Sequence, residues 1–352
     1  MPPRPRPRRR SFVLPVACLA LVASVLTTSS SQAATSPSIT ITAVGDTILG
    51  NTPQLPSDPA GYLSPIRSTL ASGAQVVFGN LEGTLTSSTG SKCGSSSGST
   101  CFAFRNPPAF GKYLAGAGFT ALGTANNHSK DFGAAGLRDT LNSIRAAHMS
   151  YAGQPGQIDY VKAGTVTVAI VAFAPYSSSN NLLNLSTAAN LIAKARANAP
   201  VVIVYMHAGA EGSRASHVTG QEEHYLGEDR GNPKAFAHMA IAHGASVVIA
   251  SGPHVLRGIE LYRGHPVVYS LGDFASYHNF STSGVLSKSM ILRLTLSPTG
   301  AFRSGRITSV VLGSNGRATL GGDSVSFVNT LSGQDFGAAA PRFSREGVFI
   351  PR

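Results

Sequence analysis

The 352-residue chain has no tryptophan, three cysteines and only 12% charged side chains. So few cysteines exclude a zinc ribbon and a dense disulfide scaffold. Low charge beside 42% apolar content excludes disorder as the main state and provides for one large core or two ordinary ones. Acidic residues are the scarcer sign, 16 against 28 Lys plus Arg, for a net charge of +12. Five of the arginines fall in the first ten residues, and without them 23 basic against 16 acidic residues leave +7. That balance suits an anionic polymer or surface. No Lys/Arg cluster recurs downstream, so nucleic acid is not expected as a partner.

The amino terminus reads as an address. Arg4 to Arg10 are Arg-rich, 12–26 are apolar, and Ser31-Gln32-Ala33 offers the small residues a signal peptidase reads. The apolar run is shorter than the roughly 20 residues of a spanning helix, which favours a cleavable signal (1–33) over an anchor. Arg9-Arg10-Ser11-Phe12 also fits the twin-arginine pattern of export in the folded state. The protein is expected to be exported, secreted or associated with the cell envelope, with a mature start near Ala34. Loss of Cys18 with the signal leaves Cys93 and Cys101, separated by a Gly/Ser-rich loop in an oxidising compartment, and predicts a disulfide between them.

From Ile39 onward, short β-branched runs alternate with helical stretches, the pattern of α/β sheets with parallel strands. Each of six runs finishes in polar residues. Ile39 to Val44 leads to Asp46, and Val76 to Phe78 leads to Asn80 and Glu82. Phe119 to Gly123 leads to Asn126-Asn127-His128, and Val201 to Tyr205 leads to His207. Val247 to Ile249 leads to His254, and Val267 to Tyr269 leads to Asp273. Ligands of α/β sheets gather beyond the carboxyl ends of strands, so one shared site is expected. Asp, Asn and Gly are also common turn formers, but three histidines at equivalent places are not explained that way. Mixed His, carboxylate and amide donors suit Mn, Fe or Zn better than Ca or Mg.

Other features read structurally. Asn232-Pro233 opens a helix, and Leu137, Leu141 and Ile144 form the buried stripe of another. Gly94 to Gly98 fits a nucleophile elbow only formally, and Gly116-Ala117-Gly118 lies between a helix and a strand, the reverse of a dinucleotide loop. His148, His238, His243 and His265 are assigned to structure. The stretch from Gly212 to Gly231, with His217 and His224, is expected to be a loop or lid.

Asp46, Gly79-Asn80-Leu81-Glu82-Gly83, Ala125-Asn126-Asn127-His128 with Asp131, His207-Ala-Gly-Ala-Glu211, Pro253-His254 and Leu271-Gly272-Asp273 together resemble the bacterial capsule-synthesis CapA family, in order over about residues 39–280. The resemblance implies a calcineurin-like metallophosphatase fold, a layered α/β/β/α sandwich with its site at the carboxyl ends of the strands. It places that domain at 38–290, followed by a β-rich extension, 291–352, packed on it. It implies Asp46, Glu82, Asn127, His207 and His254 as metal ligands and His128 as the acid that protonates a leaving group. Asn80, Asp131, Glu211 and Asp273 are then expected to orient the ligands or touch substrate. Three positions depart from the pattern. Thr47-Ile48 follow Asp46 in place of x-His, Ser251 stands where the family has His, and Asp273 where it has Asn. Two ions, one ion or none therefore remain open.

The family is linked to poly-γ-glutamate capsule synthesis. The expected function is capsule or poly-γ-glutamate synthesis, either as a metal-dependent hydrolase of phosphoester or amide bonds, or as a non-catalytic factor that binds or exports the anionic polymer through the same cleft. Other proteins of envelope-polymer synthesis are expected partners.

Overall fold

The computed structural model describes residues 1–8, 11–12, 38–94 and 101–351. The twin-arginine pair, the apolar run from residue 13, the cleavage site and Cys18 lie outside the described residues, as do Ser95 to Gly98 of the formal elbow. Among the described residues no helix is long and apolar enough to cross a membrane.

The strands that build the framework are, in chain order, β1 (Ile39–Ile48), β2 (Val76–Leu81), β3 (Ala121–Gly123), β4 (Ser150–Ala152), β5 (Asp159–Ala163), β6 (Val166–Ala174) and β7 (Val201–His207). They continue as β8 (Val247–Ser251), β9 (Ile259–Tyr262), β10 (His265–Val268), β11 (Asp273–Ser276), β12 (Lys288–Leu296), β13 (Phe302–Leu312) and β14 (Ala318–Leu320). The principal helices are α1 (Gly111–Ala117), α2 (Gly133–Ala146), α3 (Leu185–Asn198), α4 (Pro233–Ala242) and α5 (Ser324–Phe336).

Two sheets result. One runs β14-β13-β12-β1-β2-β3-β4, and the other β9-β10-β8-β7-β6-β5. In the first, β1 is parallel to β2, while β12 pairs antiparallel along Ile39 to Ala43. Where β12 leaves off, β11 takes over in parallel, with Asp46 opposite Asp273. In the second, β6, β7, β8 and β10 are parallel. Strands buried on both faces read as continuous apolar runs, and the two faces separate by residue parity. Ile39, Ile41, Ala43, Ile203, Tyr205 and Ile170 share the core between the sheets. Val202, Val204, Met206 and Val171 pack outward on Ile192 of α3 and Phe236 of α4. On the other outer face Val44 and Val77 meet Leu114 of α1 and Ile144 of α2. The order of layers is therefore α/β/β/α.

Local signals explain the helices. Asn232 Oδ1 accepts the Ala235 N–H at 2.9 Å and caps α4 ahead of Pro233. α1 ends at Gly118, whose φ of +109° is a left-handed helix ending, in keeping with the rejection of a dinucleotide loop. In α2 the buried stripe differs from expectation at one position. Leu137 and Ile144 are buried but Leu141 is only half-buried, because Thr140 takes the inner place. The Thr140 hydroxyl donates to Gly136 O at 2.7 Å and accepts Leu85 N–H at 2.9 Å. The boundary read at residue 290 falls inside β12, and the segment after it supplies β13, β14 and the helix α5 as well as strands. Residues 37–352 group as one unit.

Candidate metal centre

Strand ends from both sheets converge. Asp46 lies near the end of β1, Glu82 follows β2 by one residue, His207 closes β7, His254 stands three residues past β8, and Asp273 opens β11. Asp46, Glu82, His207 and Asp273 are fully buried, and His254 is 9% exposed. The close approach depends on Gly45, where a Cβ would sit 1.7 Å from Gly272 O, so only glycine lets β1 run against the turn before β11. His254 has a left-handed backbone, φ +59°, a strained conformation for a residue with a side chain.

Asp46 accepts three hydrogen bonds and has His254 beside it. Its Oδ1 accepts from Asn80 Nδ2 at 2.8 Å and from the Ser251 hydroxyl, and its Oδ2 faces Gly252 N and His254 Nδ1, each at 3.2 Å. Ser251 in turn faces the Tyr205 hydroxyl at 2.5 Å. Asn80 also donates to Glu82 Oε2 at 3.1 Å and accepts from Asn126 Nδ2 at 3.0 Å, which fixes its amide between two carboxylates. His254 Nδ1 lies 2.8 Å from Asp273 Oδ1, leaving Nε2 turned toward Glu82 Oε1 and Glu211 Oε2.

Other atoms lack partners. Both ring nitrogens of His207 and Glu82 Oε1 are buried without a hydrogen bond, as is Asn127 Oδ1. Such groups carry a desolvation cost of about 1–3 kcal/mol each unless something binds them, so the donor chemistry fits a divalent cation. Asp46 with Glu82 and His207, and Asp46 with His254 and Asp273, place candidate donor atoms within 4.8 Å of one another.

Burial is the largest influence on each ionisable group here. In Asp46 it is overcome by the hydrogen bond and charge of His254 and by His207, which hold the carboxyl below the usual range. Glu82 moves the other way, pushed well above its ordinary value by burial and by the charge of Asp46. One carboxylate is kept ionised and its neighbour resisted, an imbalance that a cation reverses. Burial drives His207 down to about 3, so its ring is neutral and keeps a lone pair. Burial also opposes the charge on His254, but Asp273 and Glu82 raise it well above the usual value, while burial lifts Asp273 to about 6 against the pull of His254. The pair holds a proton at the Nδ1 edge.

His128 stands apart from this cluster. Its Nδ1 lies 2.8 Å from Asp131 Oδ2, which also accepts the Phe104 N–H at 2.7 Å. Lys92 neutralises the other oxygen of Asp131 at 2.7 Å and donates to Asn127 O at 3.2 Å. Burial lowers the pKa of His128, and Asp131 offsets part of that effect. A cavity of about 340 Å³ opens over His128, Glu211, His254 and Asp273, walled by Phe104 and Phe280. Those rings also lie 4.4 Å from His128 and 4.6 Å from His254, centroid to centroid.

Of the expected residues, Asp46, Asn80, Glu82, His207, Glu211, His254 and Asp273 come together, with His128 and Asp131 across the cavity. Asn127 contributes an unpartnered buried oxygen. Tyr205, Lys92, Phe104 and Phe280 were not anticipated, and Asn126 and Ser251 were noted without the roles they take here. Gly212 and Tyr225 of the expected lid line the cavity, whereas His217 turns away to Asp335 at 2.7 Å. His238 binds Glu260 at 2.9 Å and His265 binds Ser246 O at 3.0 Å, both away from the cavity lining. Cys93 and Cys101 are disulfide-bonded.

The family model described as bacterial capsule synthesis protein PGA_cap matches residues 40–278, which include every residue of this centre. The chain belongs to the PGA_cap family. Among its relatives, the PGA biosynthesis protein CapA of Bacillus subtilis (strain 168) is 28% identical over 180 residues, 46% of this chain and 44% of that protein. The capsule biosynthesis protein CapA of Bacillus anthracis is 29% identical over 178 residues, 45% and 40% respectively. The match thus spans less than half the length of either relative. Among solved structures, the 5'-nucleotidase precursor from Thermus thermophilus aligns with TM-score 0.42 and 12% identity over 78% of this chain and 54% of that one. The purple acid phosphatase PPD1 from yellow lupin (Lupinus luteus) seeds aligns with TM-score 0.39 and 12% identity over 81% and 53%. Within the PGA_cap match, Ser251 occupies the place where the sequence pattern led to a histidine, and it serves Asp46 instead.

Proposed function

We propose that this PGA_cap protein is an exported, metal-dependent hydrolase of phosphoester or amide type acting on an anionic envelope polymer such as poly-γ-glutamate or on a precursor of it. The observation that carries the reading is the set of buried, unpartnered donors, His207 and Glu82 Oε1, beside a cavity bordered by the His128–Asp131 pair. Glu82, His207 and His254, with Asp46 and Asn127 adjoining, would hold Mn, Zn or Fe. The ion would supply Lewis-acid polarisation and a water of lowered pKa.

The protein's own residues do the rest. Asp131 fixes the tautomer and orientation of His128, so Nε2 is the nitrogen free to give a proton to a leaving group. The lowered pKa of His128 makes its protonated form the stronger acid, at the expense of its population. Phe104 and Phe280 hold both histidine rings in place and limit water at them. A second reading, polymer binding without turnover, is favoured by the three hydrogen bonds that Asp46 already accepts and by Ser251 in place of a histidine.

The test is hydrolysis of a generic phosphodiester and of poly-γ-glutamate, with Mn or Zn, by the wild type, His128→Ala and His207→Ala. Turnover in the wild type, lost in both variants but with bound metal retained only in His128→Ala, is the expected result. No turnover in any condition removes the hydrolase reading in favour of binding. Export is tested by N-terminal sequencing of secreted protein, expected to begin near Ala34.

A further inference from the structure

The cavity over the centre is lined in a way that an anionic chain does not explain. Phe102, Phe104, Tyr225, Phe280 and Leu286 wall it, and its charged or imidazole groups are His128, Glu211, His254 and Asp273. Among the described residues no lysine or arginine lines it. The cations attached to its polar residues are already engaged. Lys92 lies 2.7 Å from Asp131 Oδ1 and donates to Asn127 O, while Arg230 lies 2.8 Å from Glu211 Oε1 and 3.1 Å from Glu228 Oε2. The two histidines are engaged as well, His128 by Asp131 and His254 by four carboxylates, those of Asp46, Glu82, Glu211 and Asp273. Phe102 is 55% exposed, so the apolar wall reaches the surface.

Two of the rings form a corner. Phe104 and Phe280 meet edge to face, centroids 5.4 Å apart at 89°, and each also leans on a histidine, Phe104 on His128 and Phe280 on His254. That corner adjoins the proton donor of the proposed reaction, where a leaving group stands. A volume of about 340 Å³ is near the lower end for small-molecule sites, about 300–1,000 Å³, which gives room for one group rather than a length of polymer. In a γ-glutamyl polymer the carbon bonded to the departing nitrogen carries a carboxylate. Such a carboxylate would enter beside Glu211 and Asp273, against apolar rings and with no free cation to receive it, and an unpaired charge is costly to desolvate. An uncharged apolar group in the same place gains by leaving water.

We propose that the leaving-group side of the substrate is an uncharged apolar group, a ring or a hydrocarbon chain, seated against Phe102, Phe104 and Phe280. Resting on the hydrolase reading, this narrows its substrate from the polymer to a precursor, an ester or amide whose departing part carries no carboxylate. Phe102 and Phe280 then determine specificity, and the polymer's own linkages are poor substrates.

The test is calorimetric measurement of Kd for four phosphonates on mature protein in the presence of Mn. Methylphosphonate reports the affinity of the head group alone, benzylphosphonate adds a ring, hexylphosphonate adds a chain, and 2-carboxyethylphosphonate adds a second charge. Benzylphosphonate, hexylphosphonate or both are expected to bind at least about tenfold more tightly than methylphosphonate, and 2-carboxyethylphosphonate no more tightly than it. Which of the two gains tells a ring from a chain. Phe280→Ala and Phe102→Ala are each expected to lose most of that gain and to leave the Kd of methylphosphonate within about twofold of wild type. Phe102 is exposed, so its variant serves if Phe280→Ala does not fold. Equal affinity for all four, tightest binding of 2-carboxyethylphosphonate, no binding of any, or variants that keep the full gain overturn the proposal. The apolar preference without turnover upholds it while removing the hydrolase reading, and turnover without the preference does the reverse.

Discussion

Lys92 neutralises one oxygen of Asp131 while the other holds His128, so the orientation of the proposed acid depends on a lysine that does not line the cavity. His128→Ala is expected to lower kcat by about 10²–10⁴ while leaving folding and metal content intact. Lys92→Met removes only the support behind Asp131 and is expected to lower kcat less, leaving KM unchanged, as steady-state kinetics of the two variants side by side will show. Much of this residue set was legible beforehand, because three histidines at equivalent places after apolar runs are not explained as turn formers. Ser251 and Tyr205 were not. A serine and a tyrosine in a strand carry no motif, and their role arises only because two sheets bring Ser251 against Asp46, 205 residues away in the chain. Asp46 illustrates the opposite limit. Its position was legible, but the hydrogen bonds it accepts come from Asn80, Ser251 and Gly252, donors that no sequence pattern brings together.

The segment joining β2 to α1 combines the disulfide with the pocket wall. Lys92 precedes Cys93, and Phe104 follows Cys101 by three residues, touching both His128 and Asp131. A closed loop this short contributes at most about 2–3 kcal/mol through the unfolded chain. The double variant Cys93→Ser/Cys101→Ser is therefore expected to fold with a modestly lower Tm, and to lose more activity than that loss of stability explains. Thermal melts and kinetics on one preparation check both parts. On β5, at the edge of the second sheet, burial raises the pKa of Asp159, with partial relief from Ser150. The folded state binds that proton more tightly than the unfolded chain, so its contribution to stability is present below 3.8 and is lost as pH rises through the raised value. Asp159→Asn is expected to be more stable than wild type at neutral pH, an advantage that disappears below about pH 3.8, in denaturant titrations across that range. The alternation of strands and helices was legible at this scale. The switch of β1 from β12 to β11 along its length was not, because register is set by partners distant in sequence.

Across the whole molecule, the candidate donors divide between the sheets. Asp46 and Glu82 come from the first, while His207 and His254 come from the second or the loop leaving it. Anything that binds only the folded form stabilises it by mass action, so chelation is expected to lower Tm and Mn or Zn to restore it, by about 2.7 kcal/mol at a hundredfold excess over Kd. Calorimetry with and without chelator checks this, and equal melts in both would show that no ion contributes. The same division has a kinetic consequence. Neither half of the sandwich owns a complete set of ligands, so a chain with both sheets formed but not yet docked has secondary structure and no high-affinity pocket for a cation. During refolding, uptake of a metal probe then lags the recovery of strand signal, and the moment of uptake marks the closing of the two layers against each other.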